Sequence, residues 1–258
     1  MLFCLELFLV FCFAFFLASL ASFFNVVIFR TAREESFVTG RSKCEFCHKK
    51  IAWYDNIPLV SFLILRGCCR HCHKSIAPMY FVTELLAFLL GLAFASGLME
   101  WQAMLSFLIF FVLLFVLLAD LQYLIVPDFF VVLLSILVIL SQLISGGSWL
   151  PHLFAVIFAG LFFVGLYFLS KKVLKKEALG LGDIKLMLPL AFFLSWPKIV
   201  LNIFLAFIIG GIFAMLMLVL GKKKFGQALP FAPFLIISAL ISFFFGEAIW
   251  QWYFGLLF

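Results

Sequence analysis

Charged residues are scarce in this sequence of 258 residues. Only 12% of the chain is Asp, Glu, Lys or Arg, whereas 67% is hydrophobic. A soluble fold could not bury that much apolar surface, so a soluble domain is excluded. Uncharged stretches close to the roughly 20 residues needed to cross a bilayer recur along the chain. The composition therefore predicts an all-α integral membrane protein.

Eight apolar stretches are candidate transmembrane helices. They cover residues 3–29, 79–97, 101–119, 128–145, 149–170, 183–196, 198–220 and 229–249. The first stretch lacks the basic n-region and the small-residue cleavage site of a signal peptide, so we expect a retained helix. The predicted division of the chain is a first helix over residues 1–29, a loop over residues 30–78 and a multi-helix membrane domain over residues 79–258.

Lys and Arg residues cluster in three of the segments between these stretches. They are Arg30, Arg33, Arg41, Lys43, Lys49, Lys50, Arg66, Arg70 and Lys74, then Lys171, Lys172, Lys175 and Lys176, then Lys222, Lys223 and Lys224. Because cytoplasmic loops near membrane spans are enriched in Lys and Arg, these segments are predicted to lie inside and both termini outside. Lys198 is the exception on the predicted outer side. The net charge of +6 thus reflects topology and contact with the lipid bilayer, and no nucleic-acid partner is expected.

Two aspartates stand where apolar stretches break on the predicted cytoplasmic side. Asp120 opens a block that closes with Asp128, and Asp183 ends the tetrad Gly180-Leu181-Gly182-Asp183. Two carboxyl groups at one water-lipid boundary indicate aspartyl protease chemistry, because one can deprotonate a water while the other polarises the scissile carbonyl. The two glycines would let backbone and an extended substrate approach Asp183. By itself, however, such a tetrad arises easily by chance, and an acid at a helix boundary is often an N-cap.

Two other polar residues near these aspartates have simpler interpretations. Asp128 follows Pro127 at the start of a predicted helix, so we expect it to cap that helix. Lys185 is expected to anchor the chain at the cytoplasmic face, although it could also hold a phosphate or a carboxylate.

The loop over residues 30–78 carries two Cys-x-x-Cys motifs, Cys44 to Cys47 and Cys69 to Cys72. Each motif turns two thiolates toward one point, and four thiolates form a closed tetrahedral Zn²⁺ site. A disulfide is a weaker alternative, since the loop is predicted to be cytoplasmic. Four neighbours could compete as ligands: His48, Cys68, His71 and His73. A solvated side chain is the simpler interpretation of each.

These motifs, taken together and in this order, resemble the type IV prepilin peptidases. The matching segments are residues 22–30, Arg41-Ser42-x-Cys44-x-x-Cys47, residues 53–61, Leu65-Arg66-Gly67-x-Cys69-x-x-Cys72, residues 120–128, Gly180-x-Gly182-Asp183-x-Lys185-Leu186 and Leu229-Pro230-Phe231-Ala232-Pro233-Phe234. The resemblance spans residues 20–240. Ala21 and Ala232 stand where the family usually has Gly, and neither is expected to touch the two aspartates.

The resemblance implies a bifunctional enzyme of the bacterial cytoplasmic (inner) membrane. Members of this family remove the basic leader of type IV prepilins or type II secretion pseudopilins at the cytoplasmic face. They commonly then methylate the new N-terminal residue with S-adenosylmethionine. The resemblance assigns catalysis to Asp120 and Asp183 of a GxGD-type aspartyl protease. Glu84, near the cytoplasmic start of the second apolar stretch, is a candidate for binding basic residues of the leader.

The site of the methyl donor is not evident in the sequence. No Gly-x-Gly-x-x-Gly motif lies between a predicted strand and a helix, so no Rossmann-type site can be assigned. Residues 30–78 are the expected contributor, because they form the largest soluble segment on the cytoplasmic side.

Two other functions stay open at this point. A polytopic transporter could use its acids to relay protons or bind ions. Against this, the acids lie at membrane ends and the two halves show no inverted repeat. A non-catalytic assembly protein with a zinc-binding loop is the third hypothesis. Replacing either aspartate by Asn separates the three, because only a peptidase requires both for leader cleavage.

Overall fold

The computed structural model describes residues 2–95, 100–174, 180–222 and 229–257. It divides into two compact units, Met1–Glu100 and Trp101–Phe258. The sequence-based division at residues 29 and 78 stays a prediction. Residues 96 and 97 of the second apolar stretch lie outside the described residues, as do Lys175, Lys176, Lys223 and Lys224 of the basic clusters.

The first unit has two long helices joined by a folded loop. Helix α1 spans Leu2–Ala32, the loop carries a 3₁₀ helix at Trp53–Asn56 and helix α2 at Val60–Ile64, and helix α3 spans Pro78–Ala95.

Small residues let α1 and α3 pack closely. A Cβ at Gly91 of α3 would lie only 2.7 Å from the Cα of Ala14 in α1, so any larger residue there would force the helices apart. Such close backbone approach is a common source of helix association in lipid, where the hydrophobic effect contributes little. The buried side chain of Asn25 adds a polar contact, because its Nδ2 donates to Thr83 Oγ1 at 2.7 Å.

The second unit is a bundle of helices with α7 in the middle. Its described helices are α4 (Trp101–Tyr123), α5 (Asp128–Ser145), α6 (Leu150–Leu174), α7 (Leu181–Leu194), α8 (Lys198–Val219) and α9 (Ala232–Leu257). Helix α7 packs against α5, α6, α8 and α9, while α4 packs against α5 and α9. The core includes the fully buried side chains of Phe115, Phe130 and Leu186. At the start of α7, Gly182 lies close to Val126 in the segment before α5.

Six helices of the described chain are long and apolar enough to cross a membrane. They are α1, α4, α5, α6, α8 and α9, which makes this a multi-pass membrane protein. The other two predicted stretches form α3 and α7, with 18 and 14 residues. At about 1.5 Å per residue, α7 covers roughly 21 Å, which is less than a hydrocarbon core of about 30 Å. The eight-span topology therefore stays a prediction.

Lys198, the basic residue on the predicted outer side, forms an ion pair. Lys198 begins α8, and its Nζ lies 2.8 Å from Oε1 of Glu247 in α9. Since this charge is paired within the protein, Lys198 is a weaker topology signal than the clustered residues.

Candidate functional site

Asp120 and Asp183 are buried at helix ends of the second unit. Asp120 lies in the last turn of α4 and is 5% exposed, and Asp183 lies in the first turn of α7 and is 8% exposed. Asp120 and Asp183 lie close enough for an electrostatic interaction between their carboxyl groups. The structure thus brings together two acids that lie far apart in the sequence.

The N-terminus of α9 contacts this pair. The backbone N–H of Ala232, the first residue of α9, donates to Oδ2 of Asp120 at 3.1 Å. This N–H is one of the four at a helix start that have no acceptor within the helix, and the helix dipole favours negative charge there. The expectation that Ala232 does not touch the aspartates is therefore wrong. Since the backbone makes the contact, it does not depend on whether the residue is Ala or Gly.

Gly180 and Gly182 shape the chain around Asp183. Gly180 is the N-cap residue of α7, and its carbonyl accepts the N–H of Asp183 at 3.2 Å. A Cβ at Gly180 would lie 3.2 Å from Asp183 Oδ2, and a Cβ at Gly182 would lie 3.0 Å from the Cβ of Val126. The first glycine leaves space beside the carboxyl group. The second lets α7 pack closely against the segment that precedes α5.

Asp128 and Lys185 form a separate, exposed ion pair. Lys185 Nζ lies 2.8 Å from Asp128 Oδ1, and the two side chains are 52% and 72% exposed. The capping interpretation of Asp128 is wrong, because no side-chain hydrogen bond caps α5. The carboxylate pairs instead with Lys185, one of the partners the sequence allowed for that lysine. The pair links the start of α5 to α7.

Four cysteines of the first unit form a cluster that could hold a metal ion. The Sγ atoms of Cys44, Cys47, Cys69 and Cys72 all lie within 4.8 Å of one another, with Cys44 and Cys72 at 3.7 Å. Four sulfurs bound tetrahedrally at about 2.3 Å from Zn²⁺ would be about 3.8 Å apart, so these positions fit a zinc site. Among the described residues, neither Cys68 nor a histidine joins the cluster.

The two Cys-x-x-Cys motifs have the same backbone geometry. The N–H of Cys44 donates to Lys49 O at 3.0 Å, and the N–H of Cys69 donates to Lys74 O at 2.9 Å. His48 and His73, which follow the second cysteine of each motif, both have φ of 56°. The sequence signal for this likeness is a repeat: Cys-x-x-Cys-His-Lys-x-Ile-Ala occurs at residues 44–52 and again at residues 69–77. The spacing of the cysteines alone does not reveal it.

The two thiols of the second motif differ in acidity: burial and the neighbouring thiols raise the pKa of Cys72 to about 11, whereas that of Cys69 is lowered. The backbone N–H groups of Cys72 and His71 lower the pKa of the Cys69 thiol to about 7, and the thiolate is the form that binds metal. Arg70, inside the same motif, donates from Nη2 to Asp55 Oδ1 at 2.6 Å and from Nε to Oδ2 at 2.9 Å. These hydrogen bonds lower the pKa of Asp55. They also fix the 3₁₀ helix against the second motif.

Glu84 holds the start of α2 in the first unit. Its side chain is buried in α3, and Oε2 accepts the backbone N–H of Leu59 at 2.9 Å. The side chain of Ser22 in α1 also interacts with this carboxyl group. Leu59 precedes α2 with φ of 62°, a strained value for a non-glycine residue that this contact helps to hold. The expected role of Glu84 in leader binding stays a prediction.

Family models match both parts of the chain. Residues 15–98 match the bacterial peptidase A24 N-terminal domain, and residues 107–215 match the type IV leader peptidase family. The first match contains the four-cysteine cluster and Glu84, and the second contains Asp120 and Asp183. No solved structure is a significant match to this chain.

Curated relatives agree with these matches. The chain is 32% identical over 221 residues to the prepilin leader peptidase/N-methyltransferase of Pseudomonas aeruginosa, covering 84% of this chain and 76% of that protein. For the enzyme of the same name from Aeromonas hydrophila the identity is 30% over 220 residues, with the same coverage. For that of Bacillus subtilis it is 26% over 239 residues, covering 91% and 93%. The chain therefore belongs to the type IV leader peptidase family.

Proposed function

We propose that this protein removes the leader from type IV prepilins by aspartyl protease chemistry and then methylates the new N-terminus. The buried pair of Asp120 and Asp183, close enough for one charge to act on the other, is the observation that carries the peptidase activity. Family membership and the shared name of the relatives support both activities. The transporter and assembly-protein hypotheses have no such support.

In this proposal Asp120 and Asp183 work as one catalytic unit. Two carboxyl groups this close in a buried site cannot both be ionised at low cost, so they hold one proton between them. The ionised group takes a proton from water as the water oxygen attacks the scissile carbonyl carbon. The protonated group gives its proton to the carbonyl oxygen and takes it back when the carbonyl re-forms. As the C–N bond then breaks, the group that took a proton from water passes it to the departing amine nitrogen. The N–H of Ala232 keeps the Asp120 carboxyl oriented throughout.

We assign the aspartates and the loop over residues 30–78 to the cytoplasmic side of the inner membrane, with eight spans and both termini outside. The three basic clusters support this orientation. A prepilin, or a type II secretion pseudopilin of the same design, would present its basic leader from the cytoplasm while its apolar helix stays in the bilayer. Gly180 and Gly182 would then leave room for the extended segment beside Asp183.

We propose Zn²⁺ as the metal of the four-cysteine cluster. Four thiolates fill all the positions of a tetrahedral ion, so this site is structural. Cys44 and Cys47 would be joined through it to Cys69 and Cys72. The metal would therefore hold the two turns of the loop together.

S-adenosylmethionine is the proposed methyl donor. When bound, it supplies a methyl group: its methyl–sulfonium bond breaks, a bond from the methyl carbon to the N-terminal nitrogen forms, and the amine gives up one proton. The relatives' name supports this activity. The protein's own contribution is to bind the donor and to hold the new N-terminus beside it.

Leader cleavage by Asp120→Asn and Asp183→Asn variants tests the proposed peptidase. Purified protein would be incubated with a prepilin, and the product would be identified by mass spectrometry. We expect each change to reduce cleavage by about 10³-fold or more, because each carboxyl group takes part in proton transfer. Methylation of a synthetic mature N-terminal peptide by the same variants shows that they are folded. Substantial cleavage by either variant would refute the mechanism.

A further inference from the structure

Helix α2, within the loop of the first unit, carries an exposed apolar face. With about 3.6 residues per helical turn, Val60, Leu63 and Ile64 lie on one side of this helix. All three are exposed, and Leu63 and Ile64 reach 64% and 69%. The opposite side holds Phe62, whose ring stacks on that of Phe81 in α3 with centroids 4.7 Å apart. Helix α2 therefore packs on α3 with one face and leaves the other, apolar face exposed.

The start of α2 is bound beside the membrane part of α1. The backbone N–H of Leu59 donates to Oε2 of Glu84 at 2.9 Å, and the side chain of Ser22 in α1 also interacts with this carboxyl group. Helix α1 is a candidate membrane span, and its residues 7–29 carry no charged side chain. Ser22 precedes Arg30 by eight residues, which is about 12 Å at about 1.5 Å per residue. The start of α2 thus lies level with the apolar part of α1.

Helix α2 is too short to leave that depth. Its five residues extend over about 7.5 Å, which is less than the distance of about 12 Å between Ser22 and Arg30 along α1. Ile64 therefore stays on the apolar side of Arg30, whichever way α2 runs. A hydrocarbon core of about 30 Å fits within residues 7–29 of α1, so α2 lies near the cytoplasmic boundary of that core.

The backbone of α2 suits a place with little water. Where water is scarce, each backbone N–H needs an acceptor within the protein. Leu59 uses the carboxyl group of Glu84. Ser61, Leu63 and Leu65 each donate to the carbonyl four residues earlier, at 2.9–3.1 Å. These donors need no water, so contact with lipid leaves none of them unsatisfied.

The charge of the loop complements an anionic lipid surface. Residues 30–78 contain nine Lys and Arg against four Asp and Glu. Arg66, an exposed residue, lies two positions after the end of α2. A basic side chain beside an apolar surface can lay its aliphatic stem along acyl chains while its charge reaches the headgroups. Anionic headgroups of the cytoplasmic leaflet attract such residues.

We propose that α2 lies in the membrane surface, at the boundary between headgroups and acyl chains of the cytoplasmic leaflet. Val60, Leu63 and Ile64 contact acyl chains there, and basic residues of the loop contact anionic headgroups. The loop is then seated in the membrane and does not extend freely into the cytoplasm. The choice of leaflet rests on the proposed orientation of the chain, whereas the contact with lipid does not.

Lipid-borne and water-soluble photoprobes test the depth of α2 in the unmodified protein. The full chain would be placed in nanodiscs of phosphatidylglycerol and phosphatidylethanolamine that contain a lipid with a diazirine in the upper part of one acyl chain. After illumination, adducts would be mapped by mass spectrometry. We expect adducts of the lipid probe on Val60, Leu63 and Ile64. A water-soluble diazirine should leave these three residues unlabelled.

Val38 is the matched comparison within the same loop, because it is an apolar residue that is 80% exposed. Arg30 holds the chain around it at the end of α1: its Nη1 donates to the carbonyls of Ser36 at 3.1 Å and Thr39 at 3.0 Å. This segment lies on the cytoplasmic side of the apolar part of α1. Val38 should therefore react with the water-soluble probe and not with the lipid probe.

Two charges on the exposed face should reverse the labelling of α2. Because ionised carboxylates are costly among acyl chains, Leu63→Asp/Ile64→Asp should lose the lipid-probe adducts at α2 and gain adducts from the water-soluble probe. Val38→Asp should leave the labelling of α2 as it is in the wild type. Zinc content and helix content show whether each variant is folded. The map of the wild type decides the proposal without the variants.

Three outcomes would overturn this proposal. Labelling of α2 by the water-soluble probe alone would show that the loop stands clear of the membrane. Labelling by neither probe would show that protein covers the apolar face, either another part of the chain or a second copy. Equal labelling of Val38 and α2 by the lipid probe would show that α2 has no special depth.

Discussion

The two units hold their polar groups by different means. In the second unit, packed helices position the site: eight of the 14 residues of α7 are buried, and the aspartates lie at ends of such helices. In the loop of the first unit, Pro58 is the one buried residue between Arg33 and Pro78, a segment that the structure describes in full. That loop depends on side-chain contacts and on four clustered cysteines. Replacing one polar side chain of the second unit should therefore disturb only its surroundings. Replacing one cysteine should disturb the structure of the whole loop.

The largest effect that tests this comparison is expected at the aspartate pair. The double variant Asp120→Asn/Asp183→Asn should cleave about as slowly as either single variant, because members of one catalytic unit are non-additive. Its helix content and detergent stability should stay close to those of the wild type. Single-turnover cleavage assays and thermal unfolding measure the two properties. Independent, multiplying losses would show that the aspartates do not act as a pair.

Removing the metal should have the next largest effect, and it should be confined to the first unit. We expect about one zinc per chain, and we expect Cys44→Ser/Cys69→Ser to lose it, since a four-coordinate site tolerates loss of ligands poorly. Limited proteolysis should then cut within residues 33–77, while part of the leader cleavage survives. Cys12→Ser is the matched control, because Cys12 lies in α1, outside the cluster. Full zinc occupancy in the double variant would refute the ligand assignment.

A smaller effect is expected where α7 packs closely against the segment before α5. Gly182→Ala places a Cβ 3.0 Å from that of Val126, so it should destabilise the second unit by about 1–3 kcal/mol and slow cleavage by shifting Asp183. Gly211→Ala in α8 meets nothing within 4 Å and serves as the control. Thermal unfolding and kcat for cleavage measure both effects. Equal behaviour of the two variants would show that the contact with Val126 is unimportant.

The smallest effect is expected at the exposed ion pair. Lys185→Gln removes a pair whose side chains are both more than half exposed, and such pairs contribute about 0–1 kcal/mol. Stability should therefore hardly change. Cleavage measured at low and at high salt would reveal any further role. A large, salt-sensitive rise in KM would mean that Lys185 contacts the substrate.

Much of the candidate site can be predicted from the sequence, because the groups that carry the chemistry are explicit there. Asp120 and Asp183 stand at breaks in apolar stretches. The paired cysteine motifs predict a four-thiolate site, and the structure brings the four sulfurs together. The remaining contacts join distant parts of the chain. Neither the donation from Ala232 to Asp120 nor the contact of Glu84 with Leu59 leaves a local pattern.

The sequence by itself determined that this is a helical membrane protein with two acids at breaks in its apolar stretches and a cysteine-rich loop, because hydropathy and residue type are local properties. Tertiary structure decided the rest. It packed the start of α7 closely against the segment before α5, at Gly182 and Val126. It also placed the start of α9 against Asp120 and paired Asp128 with Lys185, because these contacts depend on how helices pack together and no single segment encodes that packing.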